Sequence, residues 1–533
     1  MLDITFRFPP LGTRLCVTKR FLVYVCLQFV FFAGQVRSDD LYSAIAHLED
    51  LLTTEQQVIQ SIHRYQSLHH DRLEELQFHH AWSSITTGEG VGNVVRRFKT
   101  MADLSWTWAF YYDRNSLLSR AIVRAMMGFL SRYTMPSDDD LSGAAVGLCR
   151  LLNTYMLTSA FLISLRSAPR PTVSDLVLIA SSCLGEGYVE ESLTWATAAL
   201  EESVAKNAAW ESAVCVLSNA TYSLQNVASA SDVVHKALST AGPPERGILS
   251  KVKELYDKEI RGWTYPQGKT WQRRRSQFER SCAIALRGAP LRASSELRCK
   301  MTTNGRHPAL ILQPIKMEVI SVDPWFVLFH DFISAQEAEE IKSHSRRHLK
   351  RATTVHQDGA MNPVPYRVSK SYFLEEHVFP AAKRVETKIF DVTGLSGSSA
   401  ENFQIAHYGV GGHYITHTDY TKKDQSTLPD HHLWGNRLAT VLMYLTDVKS
   451  GGATAFVEAN VAVRPQRGLA LFWFNMLRAE DENSEKVTEW SEPRYGDRRT
   501  SHCACPVLEG SKWIATKWFR EKDQGVVKYR TPI

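Results

Sequence analysis

Apolar residues recur at alternating four and three spacing from Leu41, through Ile45, Leu48 and Leu52 to Ile59 and Ile62, and again at Leu73 and Leu76. This is a heptad seam, interrupted by Glu55, Gln66 and His69. It predicts a weak coiled coil or a bundle helix, with an amphipathic helix packing inside its own chain as the alternative. From about Leu141 to Ile260 the pattern stays helical but divides into short paired segments: Val173 to Leu184, Val189 to Leu200, Glu211 to Leu224 and Ser231 to Leu238. Their separations are those of tetratricopeptide-like hairpins, whose stacked grooves can hold an extended peptide. A linker is expected from about Arg261 to Pro308, and beyond it the chain turns to short β-type runs punctuated by glycine. Phe326 to Phe329, Gln404 to Tyr408, Leu438 to Leu445, Leu469 to Phe474 and Trp513 to Trp518 predict an antiparallel double-sheet barrel. Helices around Ala335 to His348 and Ala381 to Val392 would buttress it.

At 533 residues the chain exceeds one ordinary core, and 44% hydrophobic with 22% charged residues is a globular balance. The net charge of +6 is a small surplus, and the run Arg273 to Arg275 has no interleaved aromatics, so no nucleic acid is expected and a solvated linker accounts for the arginines. Lys19 and Arg20 precede an apolar stretch from Phe21 to Ala33 that is shorter than the ~20 residues a spanning helix needs. It reads as a signal peptide ending at Ser38, with no membrane span after cleavage; the alternative, an uncut anchor, is kept open by the long region Met1 to Thr18. Secretory entry implies an oxidising compartment and makes Asn219-Ala-Thr221 a candidate glycosylation acceptor. Cys16 and Cys26 leave with the signal, so Cys149, Cys183, Cys215, Cys282, Cys299, Cys503 and Cys505 remain, an odd set that leaves at least one unpaired. Cys149, Cys183 and Cys215 read as small apolar residues buried in helices. The pairs His69-His70 and His79-His80 read as solvated surface.

The chemistry gathers near the C-terminus. His417-Thr418-Asp419 follows the glycine-rich turn Tyr408 to Gly412. Side chains two apart on a strand share a face, so His417 and Asp419 can meet one metal while Thr418 points away. A second histidine, His502, would complete three ligands on one side of the ion and leave the other positions open, the pattern of non-haem Fe(II) oxygenases. Structural zinc would want four ligands, and Cys503 with Cys505 lacks a second cysteine pair. Lys512 and Lys517 lie on one strand-like run at an odd separation, so one faces inward and needs an anion while the other faces away. Periodicity does not choose between them.

These segments carry a resemblance. The run from Tyr408 to Asp419, the segment Gly435-Asn436-Arg437-Leu438-Ala439-Thr440 leading to Tyr444, the run Gly451 to Thr454, and the stretch from His502 through Lys512 to Trp518 closely resemble the α subunits of collagen-type prolyl 4-hydroxylases. The resemblance implies iron ligands at His417, Asp419 and His502, a lysine for the distal carboxylate of 2-oxoglutarate at Lys512, and further pocket groups at Tyr408 and Thr440. It implies Fe(2+) and 2-oxoglutarate, with L-ascorbate as reductant. It also implies a protein disulfide isomerase β subunit as partner in an α2β2 heterotetramer, residence in the endoplasmic reticulum lumen, and a proline-rich peptide substrate. The expected fold class is α+β multidomain: signal peptide 1–38, N-terminal helical dimerisation region 39–140, tetratricopeptide-like peptide-substrate-binding domain 141–260, linker 261–308, and a double-stranded β-helix (jelly-roll) dioxygenase domain 309–525. The family's disulfide loop falls on Cys282 and Cys299. Cys505 matches a cysteine whose usual partner near the C-terminus is missing from this chain, so that bridge is expected to be absent or rerouted, with Cys503 as a candidate partner.

Three departures stand out. Tyr188, Trp195 and Tyr222 are a sparse aromatic set for the family's peptide groove; a charged insertion, roughly Arg478 to Arg499, precedes His502; and Arg520 stands where the family commonly has histidine. The expected function is hydroxylation of peptidyl proline to 4-hydroxyproline in secretory-pathway proteins, with 2-oxoglutarate converted to succinate and carbon dioxide. The alternatives are a 2-oxoglutarate-dependent hydroxylase of other peptide specificity, suggested by the thin aromatic groove, and a non-enzymatic peptide-binding subunit. The intact His417, Asp419, His502 and Lys512 argue against the last.

Overall fold

Ser137, Thr172, Ser276 and Ser334 each open a helix with the same exchange: the cap hydroxyl accepts from the backbone N–H three residues on, and the carboxylate at that residue accepts from the cap's own N–H. This fixes the starts of α1 (Asp138–Tyr155), α3 (Val173–Gly185), α8 (Gln277–Arg287) and α9 (Ala335–Arg346). Between and beyond them run α2 (Ser159–Ser164), α4 (Val189–Glu201), α5 (Ala208–Ser223), α6 (Val227–Leu238), α7 (Pro243–Gly262) and α10 (Pro380–Thr393). Gly288 and Gly394 end α8 and α10 in the left-handed conformation that spares a side chain its steric penalty. The structure, a computed structural model, describes residues 136–165, 170–224, 227–262, 275–288, 299–355, 361–375, 377, 379–421, 433–476 and 496–524, with short helical pieces between 48 and 105.

The predicted segments in the helical region match α3, α4, α5 and α6 to within a few residues, and these helices pack each on the next, with α7 closing the series. The expected linker is different: it holds α8 and the strand β1 (Cys299–Thr302). Arg273 and Arg274, the signal segment, the two histidine pairs and most of the insertion before His502 lie outside the described residues. Of the heptad positions, Leu48, Leu52 and Ile59 are described and buried, and Leu48 and Leu52 share a core with α1 and α3. Among the described residues no helix is long and apolar enough to cross a membrane.

The remaining strands are β2 (Ile315–Val322), β3 (Trp325–His330), β4 (Lys350–Arg351), β5 (Thr353–Val355), β6 (Met361–Pro363), β7 (Arg367–Val368), β8 (Lys370–Leu374), β9 (Phe403–Tyr408), β10 (His413–His417) and β11 (Arg437–Tyr444). They continue with β12 (Ser450–Gly451), β13 (Thr454–Phe456), β14 (Val461–Val463), β15 (Ala470–Phe474), β16 (His502–Ala504), β17 (Val507–Glu509) and β18 (Lys512–Arg520). Among the described residues they form a nine-stranded sheet, β1-β2-β3-β15-β11-β18-β9-β8-β4, a five-stranded sheet, β14-β13-β16-β10-β7, and two two-stranded pairs, β12-β17 and β5-β6. The large sheet is buried on both faces. Val441, Met443, Trp513 and Ala515 pack with Ala338, Ile341, Val385 and Ile389 of α9 and α10, whereas Leu442, Tyr444 and Ile514 pack with Phe456, Val461 and Ala504 of the small sheet. Strand alternation thus sorts β11 and β18 into a helix-facing set and an inter-sheet set. The outer face of the small sheet is covered in turn: Ala455, Cys503 and Cys505 belong to the core that contains Leu148 and Leu152 of α1.

The disulfides differ from the expectation. Cys282 pairs with Cys505, and Cys149 pairs with Cys183. Cys282 is buried on α8 against the small sheet, where the Cα of Cys505 lies 5.5 Å away, whereas Cys299 is exposed on β1 and registers with Glu318 in the large sheet. The inferred Cys282–Cys299 loop is therefore replaced by a long-range tie. Cys503 takes no part in the rerouting and stays a buried free thiol, its pKa pushed up to about 12 by burial. Cys149 and Cys183 are buried in helices as anticipated, but as a bridge between α1 and α3. Peptide mapping without reduction should recover both bridges and find Cys299 alkylated. Serine at Cys282 and Cys505 together should lower stability by about 2–5 kcal/mol, because the tie closes a very long loop. Asn219 lies inside α5, half-buried, with its carboxamide oxygen accepting from the Tyr256 hydroxyl at 3.0 Å.

Candidate metal and co-substrate site

β10 and β16 pair antiparallel with His417 opposite His502, which sets the two imidazole centroids 4.4 Å apart. The strand ends at His417, so Asp419 reaches the same point from the turn beyond it and not from a shared strand face. The outcome is nonetheless convergent: His417 Nε2 lies 4.0 Å and His502 Nε2 3.8 Å from Asp419 Oδ1, and one ligand atom from each residue falls within 4.8 Å of the others. Each imidazole is oriented by a carbonyl, His417 Nδ1 donating to Ile415 O at 2.8 Å and His502 Nδ1 to Thr500 O at 3.0 Å, which leaves both Nε2 atoms with a lone pair for a metal. Burial, with His502 beside it, holds the His417 pKa down to about 3 against the opposing pull of Asp419. Burial pushes the Asp419 carboxyl upward but is outweighed by His502, His417, Arg437 and the Thr440 hydroxyl, so it stays below the usual carboxylate range. Two imidazoles and one carboxylate make a donor set suited to Fe(II).

The rings are boxed in. Tyr414 stacks on His417 at 3.7 Å, with the Arg367 guanidinium 4.8 Å from the Tyr414 ring centroid, while Trp473 and Phe456 stand 5.0 and 5.5 Å from His502. Thr440, expected as a pocket group, instead serves the carboxylate: its hydroxyl donates to Asp419 Oδ2 at 2.7 Å. Behind it Asn475 Nδ2 donates to Thr440 Oγ1 at 2.9 Å, and Trp473 Nε1 donates to Asn475 Oδ1 at 2.7 Å. This buried chain locks the carboxylate rotamer. Thr440→Val should weaken metal affinity roughly 10–100-fold with little change in fold, measured by Co(II) titration followed in absorbance.

The structure resolves the lysine ambiguity. Lys512, Ile514 and Thr516 alternate with Trp513, Ala515 and Lys517 along β18, and Lys512 points between the sheets while Lys517 reaches Glu386 of α10 at 2.8 Å. Lys512 is fully buried, bonded to Thr454 Oγ1 at 3.3 Å, with the Tyr408 and Tyr444 rings 5.5 and 5.8 Å from its Nζ. Tyr408 therefore lines the lysine's pocket, and Tyr444 joins it by donating to Thr454 Oγ1 at 2.8 Å. Among the described residues no carboxylate lies within ion-pair distance of Lys512, and burial lowers its pKa to about 7. A buried amine so placed calls for an anionic partner.

Arg520 is held away from such a role, donating to Glu401 Oε1 at 2.9 Å and to Gly435 O at 3.0 Å. Arg437 takes both oxygens of the same Glu401 at 2.7 Å and lies 3.7 Å over the Trp518 ring. Glu401, Arg437, Tyr414, Tyr444, Thr454, Trp473 and Asn475 were not singled out from sequence as site residues. A polar residue inside an apolar run, as at Thr440 or Thr454, was the available signal.

A paired-sheet domain with two imidazoles, a carboxylate and a buried unpaired lysine in one inter-sheet space has the parts of an Fe(II)- and 2-oxoglutarate-dependent oxygenase, and residues 403–520 match the 2OG-Fe(II) oxygenase superfamily. Residues 44–164 match the N-terminal region of the prolyl 4-hydroxylase alpha subunit. Prolyl 4-hydroxylase subunit alpha-1 of Mus musculus is 31% identical over 559 residues, covering 96% of this chain and 99% of that one. Subunit alpha-2 of Caenorhabditis elegans is 30% identical over 539 residues, with 95% of each chain covered. The chain belongs to the prolyl 4-hydroxylase alpha-subunit family. The crystal structure of the viral collagen prolyl hydroxylase of Paramecium bursaria Chlorella virus-1 in its 2OG complex aligns with a TM-score of 0.28 and 20% identity, over 37% of this chain and 95% of that one.

Proposed function

We propose that this chain hydroxylates peptidyl proline to 4-hydroxyproline in proline-rich secretory-pathway proteins, with His417, Asp419 and His502 holding Fe(II) and Lys512 holding the distal carboxylate of 2-oxoglutarate. The observation that carries the reading is the pairing of three converged ligand atoms with a buried lysine in the same inter-sheet space that no carboxylate among the described residues meets. When bound, Fe(II) and 2-oxoglutarate would supply the oxidising chemistry with dioxygen as the oxidant: 2-oxoglutarate would lose carbon dioxide and keep one oxygen atom as succinate, and the other oxygen atom would become the hydroxyl on proline C4. The chain's own work is geometric. The Thr440 hydroxyl fixes one Asp419 oxygen so that the other faces the metal, the Ile415 and Thr500 carbonyls set the imidazole tautomers, and Thr454 steadies the Lys512 ammonium. The packed aromatic walls of Trp473, Phe456 and Tyr444 would exclude water from the space that would hold the co-substrate.

We read the two facing sheets as a double-stranded β-helix and α3 to α7 as tetratricopeptide-like hairpins that dock the peptide. Trp195 is fully buried and belongs to the hairpin core, which leaves Tyr188, half-buried, and Tyr222, exposed and stacked on Tyr256 at 5.7 Å, as the aromatics available to a polyproline II strand. Ascorbate as reductant, a disulfide isomerase β subunit in an α2β2 assembly and residence in the endoplasmic reticulum lumen complete the proposal. They are supported by membership of the family and by the two disulfides. The test is co-expression with protein disulfide isomerase, followed by supply of Fe(II), 2-oxoglutarate and ascorbate and measurement of succinate and of hydroxyproline in a proline-rich repeat peptide. Peptide-stimulated succinate with matching hydroxyproline is the expected result. Succinate release that no proline-rich peptide stimulates would transfer the chain to another specificity, and no succinate at all would refute an oxygenase.

A further inference from the structure

Both ligand strands are gripped from outside the small sheet by one helix. Arg150 of α1, buried, donates from Nη1 to Gly411 O at 2.7 Å, in the turn that leads into β10 and His417. Gly411 sits at φ +73 so close to α1 that a Cβ there would stand 2.7 Å from the Gly147 Cα, so only glycine admits this approach. Further along the same helix, Tyr155 donates its hydroxyl to Pro506 O at 2.5 Å, just beyond β16 and His502. Cys505, the preceding residue, is bonded to Cys282 of α8, and Asn153 Nδ2 donates to Glu279 Oε1 at 2.8 Å to hold α8 against α1. The two gripped segments are themselves joined: Gly411 N–H donates to Val507 O at 2.8 Å, and Val507 N–H to Gly412 O at 3.2 Å.

We propose that Arg150, assisted by Tyr155, is a positioning residue for the metal centre: by holding the Gly411 and Pro506 carbonyls it sets how β10 approaches β16, and thereby the separation of the His417 and His502 imidazoles. The physical basis is the narrow tolerance of ligation. Metal–ligand distances admit only ~0.2 Å of error, and β10 is short and carries an irregular register between Tyr414 and His417, so the strand by itself is a weak ruler. An arginine bonded to a buried carbonyl supplies the missing constraint, and its removal leaves that carbonyl unsatisfied. The catalytic sheet thus binds metal tightly only while the helical part of the chain is docked on it. The proposal rests on His417, Asp419 and His502 being the ligand set.

The test uses the full chain co-expressed with protein disulfide isomerase, stripped of metal and titrated with Co(II) alone, with affinity read from the Co(II) absorption bands and stability read separately from thermal unfolding. Arg150→Met should weaken Co(II) binding roughly 10-fold or more, Arg150→Lys should recover part of the loss, and Tyr155→Phe should weaken it less. Ser192→Ala, which removes the hydroxyl that joins α4 to α3 at 2.8 Å, should lower the unfolding midpoint and leave Co(II) affinity unchanged. Wild-type Co(II) affinity in Arg150→Met and Tyr155→Phe, or an equal loss in Ser192→Ala, overturns the proposal; if Arg150→Met does not fold, Tyr155→Phe decides. A wild-type chain that binds no Co(II) overturns the ligand set itself, whereas tight wild-type binding with unaffected variants overturns only the role of α1.

Discussion

Replacing His502 with alanine is expected to reduce 2-oxoglutarate turnover by roughly 10³-fold or more, since loss of a ligand must exceed the 10–100-fold that loss of a residue behind a ligand costs. The expectation is specific because His502 is fixed on all sides: its Nδ1 donates to Thr500 O, Trp473 and Phe456 flank the ring, and its Nε2 faces Asp419. Alanine leaves a hole between the sheets that no neighbouring side chain fills with a donor atom. Asp419→Ala should cost about as much, and the double variant little more than either, because three ligands acting as a unit give non-additive losses. Single-turnover succinate measurements with excess Fe(II) check this. A His502→Ala chain retaining a tenth of wild-type turnover would mean that the metal sits elsewhere.

Lys512→Met should raise the KM for 2-oxoglutarate by roughly 10²–10³-fold, the factor lost when one partner of a buried charge pair is truncated, with a smaller effect on kcat at saturation. Lys517→Met is the matched control on the same strand. It breaks the bond to Glu386, which keeps its second partner Lys383, and should lower stability by about 1–3 kcal/mol while leaving the KM near wild type. The pH dependence follows from the lowered Lys512 pKa of about 7. Below that pH the empty pocket already holds an ammonium; above it the amine is neutral and must take up a proton to meet the co-substrate carboxylate. The KM for 2-oxoglutarate should therefore rise with pH above about 7, and calorimetry at pH 8 in buffers of different ionisation enthalpy should register proton uptake. Proton release on binding would contradict this assignment of the anion receptor.

Much of the fold was legible in the chain because the signals were local. The helical runs that became α3 to α6 and the runs that became β3, β9, β11, β15 and β18 were long enough to carry their own periodicity. Strands β7, β12 to β14, β16 and β17 were missed because each is two or three residues long and holds its shape only through partners distant in sequence. The linker was misjudged for a related reason: α8 is a short helix whose buried side faces the small sheet, an environment that its own residues do not announce.

What the sequence determined by itself was the donor chemistry: two histidines, an aspartate and a lysine of the right types, in segments whose resemblance implied their roles. Which lysine faces inward, that Thr440 steadies Asp419 and leaves the lysine's pocket to Tyr408, Tyr444 and Thr454, and that Cys282 reaches Cys505 while Cys299 stays alone were decided only by the tertiary structure. The reason is one of range. A residue's type and its near neighbours set its chemistry and local conformation, but the partner that gives it a role arrives from another strand or helix, brought there by the burial of faces that no short segment can bury on its own.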